Sequence, residues 1–333
     1  MNRPPVRVFP LVALVLVLAA CGGNQNTLDP KSKPEHAITH LWWWTMTGAW
    51  IGFAVVCALL FLGWVRRNKG NLPLGGGERA ATALVIGLGI AVPVVLLSLL
   101  FFWSDVVVLK STAAPERGST RMTIRVVGHQ WWWEVRYDGS KAVTANEIHI
   151  PVGVPVQVVG TTVDVIHSFW IPELNRKIDL IPGRANRVLL DADEPGIYRG
   201  HCAEFCGLQH AHMTATVYAD PPATFRKWLA NEVGPARNPS IPVERHGREV
   251  FLSQTCAACH TIRGTPAHGD VGPDLTHVAG RAKIAAGTLP NDFIHLSGWI
   301  ASPQHFKPGA HMPRVELSAD DFEAVVAYLE TLK

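Results

Sequence analysis

Soft metal ligands crowd the stretch 201–213, which reads His-Cys-Ala-Glu-Phe-Cys-Gly-Leu-Gln-His-Ala-His-Met. Cys202 and Cys206 are four residues apart, His210 follows four later, and Met213 three after that. Thiolate and imidazole suit copper or zinc far better than magnesium or calcium. Zinc gains little from a thioether, and its structural sites close with four ligands. The methionine therefore favours copper.

A further candidate ligand, His167, stands upstream in Asp-Val-Ile-His-Ser-Phe-Trp. Together these side chains exceed what one small copper centre needs, whereas two metals bridged by two thiolates would use them all. A disulfide between Cys202 and Cys206 beside incidental histidines is the alternative, because the segment is expected outside the cytoplasm, where disulfides persist.

The pattern Cys-x-Glu-x-Cys-x3-His-x2-Met, with Asp-x2-His-Ser upstream, resembles the dinuclear CuA site of haem–copper oxidase subunit II. The resemblance extends from about residue 36 to the C terminus. It implies that two coppers, bridged by the two thiolates, are held by this set: His167, Cys202, the carbonyl of Glu204, Cys206, His210 and Met213. It also implies that the Glu204 carboxylate reaches a magnesium ion shared with subunit I.

A second motif, Cys-Ala-Ala-Cys-His at 256–260, is the attachment pattern of c-type haem. Cys256 and Cys259 would bond the haem vinyl groups, and His260 would supply the proximal imidazole. A zinc or redox Cys-x-x-Cys is the alternative, but it needs two more ligands or a thioredoxin-like frame, and neither is evident.

The haem iron needs a second axial ligand further along the chain. Met312, followed by Pro313, is the one methionine after the haem motif. The histidines that compete with it are His311, His268, His277, His295 and His305. This region resembles a small class I cytochrome c, which implies that Met312 is the ligand.

The composition places these motifs in a membrane protein. Of the 333 residues, 48% are hydrophobic and 17% charged, which suits membrane spans joined to two or three domains. The net charge is +3 and no long basic block occurs, so nothing favours a nucleic-acid partner.

The N terminus reads as a bacterial secretion signal. Residues 1–20 have a basic start and an apolar run, and Leu-Ala-Ala-Cys at the end resembles a lipobox. The resemblance implies cleavage before Cys21 and lipid on its thiol. An uncleaved signal with a chance cysteine is the alternative.

A transmembrane hairpin is predicted over 41–104. Its spans, 42–65 and 80–103, are uncharged runs of 24 residues, and at about 1.5 Å per residue each crosses a hydrocarbon core of about 30 Å. The basic residues between them are Arg66, Arg67, Lys69 and Arg79. The positive-inside rule puts this loop in the cytoplasm and both ends outside, in agreement with a lipidated Cys21. A buried soluble helical hairpin is the alternative.

The region 118–220 is predicted to be all-β. Short segments rich in Val and Ile, bounded by turn residues, are Met122–Val127, Glu147–Ile150, Pro155–Val159, Ile197–Arg199 and Thr214–Val217. Such segments indicate a sandwich or barrel. The oxidase resemblance implies a cupredoxin-like Greek-key barrel, with the copper loop between its last two strands.

Three adjacent tryptophans, 131–133, follow Gly-His-Gln. Neighbouring strand residues point to opposite faces, so at least one ring faces outward or toward another subunit, and core packing accounts for at least one other. The segment resembles the Gly-His-Gln-Trp-x-Trp of the oxidase family, in which the first tryptophan lies at the surface above the copper and passes electrons inward. That residue corresponds to Trp131.

The segment 221–242 is rich in Pro, Asn and Ala, has one amphipathic turn at Phe225–Leu229, and is predicted to be a helix end and a flexible linker. For 243–333 the resemblance implies an all-α class I cytochrome c domain. Arg245–Ser253 should be a helix leading into the haem motif. Ser318–Leu332 should be a terminal helix, capped by Ser318, that packs on the first one through an apolar stripe.

The whole chain resembles subunit II of a caa3-type cytochrome c oxidase. That implies a multi-domain protein of the bacterial inner membrane, with its copper and haem domains on the periplasmic side. Electrons from a cytochrome c or membrane-bound donor would pass through haem c and copper to the oxygen-reducing, proton-pumping subunit I, with subunit III as a further partner. Two alternatives stay open: the equivalent subunit of a CuA-containing nitric oxide reductase, and a free-standing copper lipoprotein.

Overall fold

The computed structural model describes residues 23, 25–66, 78–116 and 118–333. The predicted signal peptide, the lipidation site Cys21 and loop residues 67–77 lie outside the described residues.

Two helices in the described part of the chain are long and apolar enough to cross a membrane: α1, Lys33–Arg66, and α2, Glu78–Thr112. They contain the predicted spans 42–65 and 80–103 and extend beyond them. Large apolar side chains are exposed along both helices, as a lipid-facing surface requires. The first two turns of α1 differ, because Glu35 and Thr39 are buried there.

Helix α2 contains a π-helical turn, Gly87–Ala91, just before Pro93. The Val92 N–H bonds to the carbonyl of Gly87, five residues back. A proline ring presses on the carbonyl one α-turn earlier, and the wider π turn relieves that contact. Helix α2 therefore continues through Pro93 by means of this irregular turn. A second π turn, Ser104–Leu109, lies near the end of the helix.

Among the described residues, ten strands form two five-stranded sheets with the orders β3-β2-β1-β5-β8 and β4-β10-β9-β6-β7. The strands are β1 Met122–His129, β2 Trp132–Tyr137, β3 Val143–Ala145, β4 Glu147–Pro151, β5 Val156–Thr162, β6 His167–Trp170, β7 Ile178–Leu180, β8 Asn186–Leu190, β9 Gly196–Cys202 and β10 Thr214–Asp220. The β1–β5 and β4–β10 pairs are parallel and the others antiparallel. All five predicted strands are confirmed in position.

Alternating burial along the strands builds one core between the two sheets. In β1, Ile124 and Val126 are buried while Arg125 is exposed, and β10 alternates in the same way. Each large apolar side chain withdrawn from water contributes roughly 1.5–3 kcal/mol. The core includes Cys202 and Met213. The loop between these two residues, 203–212, which we call the copper loop, is therefore anchored at both ends.

The C-terminal domain is mainly helical. Its elements are α4 Pro242–Ser253, α5 Cys256–Cys259, a short hairpin of β11 Lys283–Ile284 and β12 Leu289–Pro290, α6 Phe293–Ala301, α7 Pro303–Phe306 and α8 Ala319–Glu330. The Ser318 side chain accepts from the N–H of Asp321, as predicted for the cap of α8. Helix α8 crosses α4 closely at Gly247, where a Cβ would fall 1.9 Å from the Ala324 carbonyl oxygen.

The first half of the predicted linker is a helix, Pro222–Val233. We call this helix, α3, the bridging helix. Its Trp228 ring stacks on His149 at 4.0 Å and meets Tyr137 edge-on at 5.2 Å. The amphipathic turn noted in the sequence is thus part of a longer helix, and Pro222 in its first turn favours that start. A packed helix therefore replaces the expected flexible tether over 222–233.

Candidate metal centre and haem site

The sheet register assembles the copper ligands. Cys202 ends β9, and the loop after it returns through Met213 to β10. The neighbouring strand β6 pairs Phe169 with Cys202, which places His167, two residues earlier, at the same end. The ligand atoms of His167, Cys202 and Cys206 all lie within 4.8 Å of one another.

The remaining predicted ligands close the cluster. Four contacts define it: His167 Nδ1 to Cys202 Sγ, 3.9 Å; His210 Nδ1 to Cys206 Sγ, 3.7 Å; Met213 Sδ to Cys206 Sγ, 3.9 Å; and the Glu204 carbonyl oxygen to Cys202 Sγ, 3.1 Å. Both cysteines are free thiols, so the alternative of a disulfide between them is not formed. The set offers soft sulfur and imidazole donors of the type that copper prefers.

The two thiols face each other in a buried site, with Cys202 1% and Cys206 3% exposed. The facing Cys206 thiol lowers the pKa of Cys202 well below its usual value against the opposing effect of burial, and the His167 ring adds to the shift. The same pairing raises the pKa of Cys206 far above its usual value. One thiolate therefore forms readily, and the second must lose its proton to a bound metal.

Asp164 orients the histidine. Its Oδ1 lies 2.8 Å from His167 Nε2, which leaves Nδ1 directed at the sulfur of Cys202. Burial opposes ionisation, yet hydrogen bonds from His167 and from the backbone N–H groups of Gln130 and Val165 lower the pKa of Asp164 to about 2. A carboxylate behind a ligating imidazole selects its tautomer and raises its basicity. The sequence hinted at this role only through the spacing Asp-x2-His.

The three tryptophans occupy different environments. Trp133 is fully buried in the core, and Trp132 is half-buried and stacks on His129 at 4.2 Å. Trp131 Nε1 donates to the Cys206 carbonyl at 2.9 Å. The expectation that Trp131 lies at the molecular surface is wrong, because it is only 7% exposed beneath the C-terminal domain, where the His311 ring lies 5.6 Å away.

The haem motif is arranged for an axial histidine. His260 Nδ1 donates to the Pro273 carbonyl at 2.8 Å, which leaves Nε2 free for iron. A Cβ on Gly272 would fall 2.5 Å from His260 Cε1, so glycine lets the ring lie against this loop. Met312 packs against the core of the same domain, as does Cys256.

The C-terminal domain packs against the sandwich beside the copper loop. The backbone N–H and Oγ1 of Thr214 donate to the Ala286 carbonyl at 3.2 and 2.7 Å. On the other side, Glu147 Oε1 accepts from the N–H groups of Ala282 and Lys283 at 2.8 and 3.2 Å. Nothing local in the sequence predicted these long-range contacts.

The chain combines three features: two apolar helices, a sandwich that holds a cluster of Cys, His and Met, and a helical domain with a haem motif. Together these features define a membrane-anchored electron-transfer protein. Comparisons with known proteins make this class specific. Residues 140–219 match the family described as cytochrome C oxidase subunit II, periplasmic domain, and residues 245–333 match cytochrome c.

The relatives match different shares of the chain, and one of them matches nearly all of it. The cytochrome c oxidase subunit 2 of Alkalihalophilus pseudofirmus is 34% identical over 98% of this chain and 97% of its own length. That of Bacillus sp. (strain PS3) is 30% identical over 75% of this chain and 72% of its own. A crystal structure of the periplasmic domain of subunit II from Bradyrhizobium japonicum is 32% identical, covering 34% of this chain and 94% of that one, with a TM-score of 0.33.

The chain belongs to the cytochrome c oxidase subunit 2 family, in the caa3-type form that carries a C-terminal cytochrome c domain. It is an electron-transfer subunit of a haem–copper oxidase, as predicted, and a membrane protein with a periplasmic domain.

Proposed function

We propose that the two sites hold a dinuclear copper centre and one covalent haem c through the predicted residues. The copper ligands are His167, Cys202, the Glu204 carbonyl, Cys206, His210 and Met213, and the haem residues are Cys256, Cys259, His260 and Met312. The observation that carries the proposal is the convergence of two free thiols, two imidazoles and a thioether in one largely buried cluster. When bound, copper and haem supply one-electron redox chemistry.

The protein fixes the positions of these ligand side chains. Cys202 and His167 are fixed on hydrogen-bonded strands, and Asp164 fixes the imidazole ring. Gln130 Nε2 and Trp131 Nε1 both donate to the Cys206 carbonyl, at 2.7 and 2.9 Å. Ligands held by such supporting contacts keep their geometry when the charge of the site changes.

The proposed order of transfer runs from an external cytochrome c or membrane donor to the cytochrome c domain, then through Trp131 to the sandwich, and on to subunit I. Trp131 supports this order because its ring lies between the C-terminal domain and the Cys206 carbonyl. The exposed Glu204 carboxylate is proposed as a magnesium ligand shared with subunit I. Subunit III is a further proposed partner.

The proposed domain boundaries are a signal peptide over 1–20, a membrane hairpin over 41–104, a copper domain over 118–220, a connecting segment over 221–242 and a cytochrome c domain over 243–333. The copper domain is proposed to close as a cupredoxin-like Greek-key barrel. Lipid on Cys21 would add a second anchor in the inner membrane.

Metal analysis tests the two sites. In the purified oxidase, two coppers are expected beyond those bound by subunit I, and one haem should stay attached to this chain after denaturing electrophoresis. One additional copper instead of two would contradict the dinuclear assignment, and a haem-free band for this chain would contradict covalent attachment.

Met312→Ala is expected to keep covalent haem, because Cys256 and Cys259 still attach it, but to lose the thioether-ligated low-spin state. The charge-transfer band of methionine-ligated ferric haem should disappear from the absorption spectrum. His311→Ala is the matched control and should keep the band. If Met312→Ala retains the band and His311→Ala loses low-spin ligation, His311 is the ligand.

Protease added to spheroplasts is expected to digest the cytochrome c domain, while the loop between Arg66 and Arg79 stays protected. The reason is the cluster of basic residues, which remains on the cytoplasmic side. Immunoblots with antibodies to the C terminus measure the outcome. A C-terminal domain cut only after the membrane is permeabilised would refute this topology.

A further inference from the structure

Lys307 is buried where the cytochrome c domain meets the copper domain, with 3% of its surface exposed. It follows helix α7 and stands five residues before Met312. Its Nζ lies within hydrogen-bond distance of three backbone carbonyls: Trp131 at 3.1 Å, His212 at 3.0 Å and Ala285 at 3.2 Å. An ammonium group has three donors, so all of them are used.

Two of those carbonyls belong to the copper domain. Trp131 also donates to the Cys206 carbonyl, and His212 immediately precedes Met213 in the chain. One side chain therefore ties the loop that carries Met312 to both segments that support the copper ligands. Lysine is almost never fully buried unless it is paired, so the burial of Lys307 at this interface indicates a specific role.

Neighbouring contacts also hold the cytochrome c domain against the copper domain. Gln209, in the copper loop, donates through Nε2 to the Pro308 carbonyl at 2.8 Å. Gly287 has φ +82°, and a Cβ there would fall 1.8 Å from Thr214 Oγ1, so the two domains touch closely at this point. Several directed contacts around Lys307 thus define the position of the cytochrome c domain on the copper domain.

The partners of Lys307 in the described part of the chain are carbonyls and not carboxylates. Burial lowers the pKa of Lys307 to about 8. Three carbonyl acceptors around Nζ require three donors, which only the positively charged ammonium form supplies. A positive charge in a poorly solvated interface acts strongly on a nearby redox site.

We propose that Lys307 is a positioning residue, which holds the cytochrome c domain in one docked pose over Trp131 and the copper loop and whose charge favours the reduced copper centre. The proposal rests on the proposed function of the two sites. It also means that an external donor reaches the cytochrome c domain and not Trp131, because the docked domain covers that ring.

The test uses Lys307→Met in the complete purified oxidase, because methionine keeps an apolar stem but removes the charge and the donors. Three changes are expected with intact copper and haem spectra. The Thr214 amide, bonded across the interface to Ala286, should exchange with deuterium about tenfold faster or more. The reduction potential of the copper centre should fall, and transfer from haem to copper should slow. Lys227→Met, on an exposed face of the bridging helix, is the control and should change none of them.

Unchanged Thr214 exchange or an unchanged copper potential in Lys307→Met would overturn the proposal. Loss of the copper or haem spectrum would also overturn it, because Lys307 would then maintain a metal site rather than the docking. Absence of copper or haem from the wild-type chain would refute the proposed function instead, so the two failures are distinguishable.

A second variant addresses the case in which Lys307→Met does not assemble. Gly287→Ala presses on Thr214 without altering Lys307 itself. Faster exchange of the Thr214 amide together with slower haem-to-copper transfer would support the docked pose. Faster exchange with unchanged transfer would overturn it.

Discussion

Replacing Cys202 with serine in the complete oxidase is expected to abolish the dinuclear copper centre. Cys202 is 1% exposed and its sulfur faces both Cys206 and the His167 ring, so it stands at the middle of the cluster. A hydroxyl is a hard, weakly acidic group and a poor substitute for a thiolate toward copper. Losing a group that merely orients a ligand costs about 10–100-fold in metal affinity, and losing a bridging ligand should cost more.

Electron paramagnetic resonance measures this outcome directly. The wild type should give a spectrum with coupling to two copper nuclei, and Cys202→Ser should lose it, together with oxidase turnover. The control is Cys57→Ser, because Cys57 lies on helix α1, within a predicted membrane span. A four-line spectrum of a single copper in the wild type, or a two-copper spectrum in Cys202→Ser, would refute the assignment.

Trp131→Gln is expected to leave both centres spectroscopically intact yet strongly slow transfer from haem to copper. The ring lies 5.6 Å from His311 of the cytochrome c domain, and its Nε1 donates to the Cys206 carbonyl. Glutamine keeps a polar donor but cannot bridge the same space with an aromatic ring. Stopped-flow or flash reduction of the haem, followed by the copper absorbance, gives the rate.

The neighbouring tryptophans are the matched controls. Trp133 is fully buried against Phe169 and His167, so Trp133→Gln should act through stability, with a loss of about 3–5 kcal/mol as for other truncations of large core aromatics. Trp132→Gln should change transfer little, since that ring stacks on His129. Unchanged copper reduction in Trp131→Gln would remove it from the path, and slow transfer in Trp132→Gln would move the assignment to that residue.

Much of the copper and haem chemistry was readable from the sequence because its ligands are close along the chain. Cys202 to Met213 spans twelve residues, and the haem cysteines and His260 span five. Spacing of this kind restricts what the side chains can reach, whatever the rest of the fold does. The membrane helices and the strands were also predicted correctly, because uncharged runs and segments rich in Val and Ile are local signals.

The arrangement between domains was decided only by the tertiary structure. Lys307 reaches carbonyls at residues 131 and 212, and Glu147 accepts from backbone groups beyond residue 280; such contacts leave no local pattern. The same arrangement buries Trp131 and thereby reverses its expected exposure. In the segment after residue 220, a single amphipathic turn could not reveal a packed helix, because the aromatic surface that stabilises it, His149 and Tyr137, comes from distant strands. Local composition determines which residues can bind a metal, whereas packing between distant segments determines which side chains, such as Trp131, remain exposed to solvent.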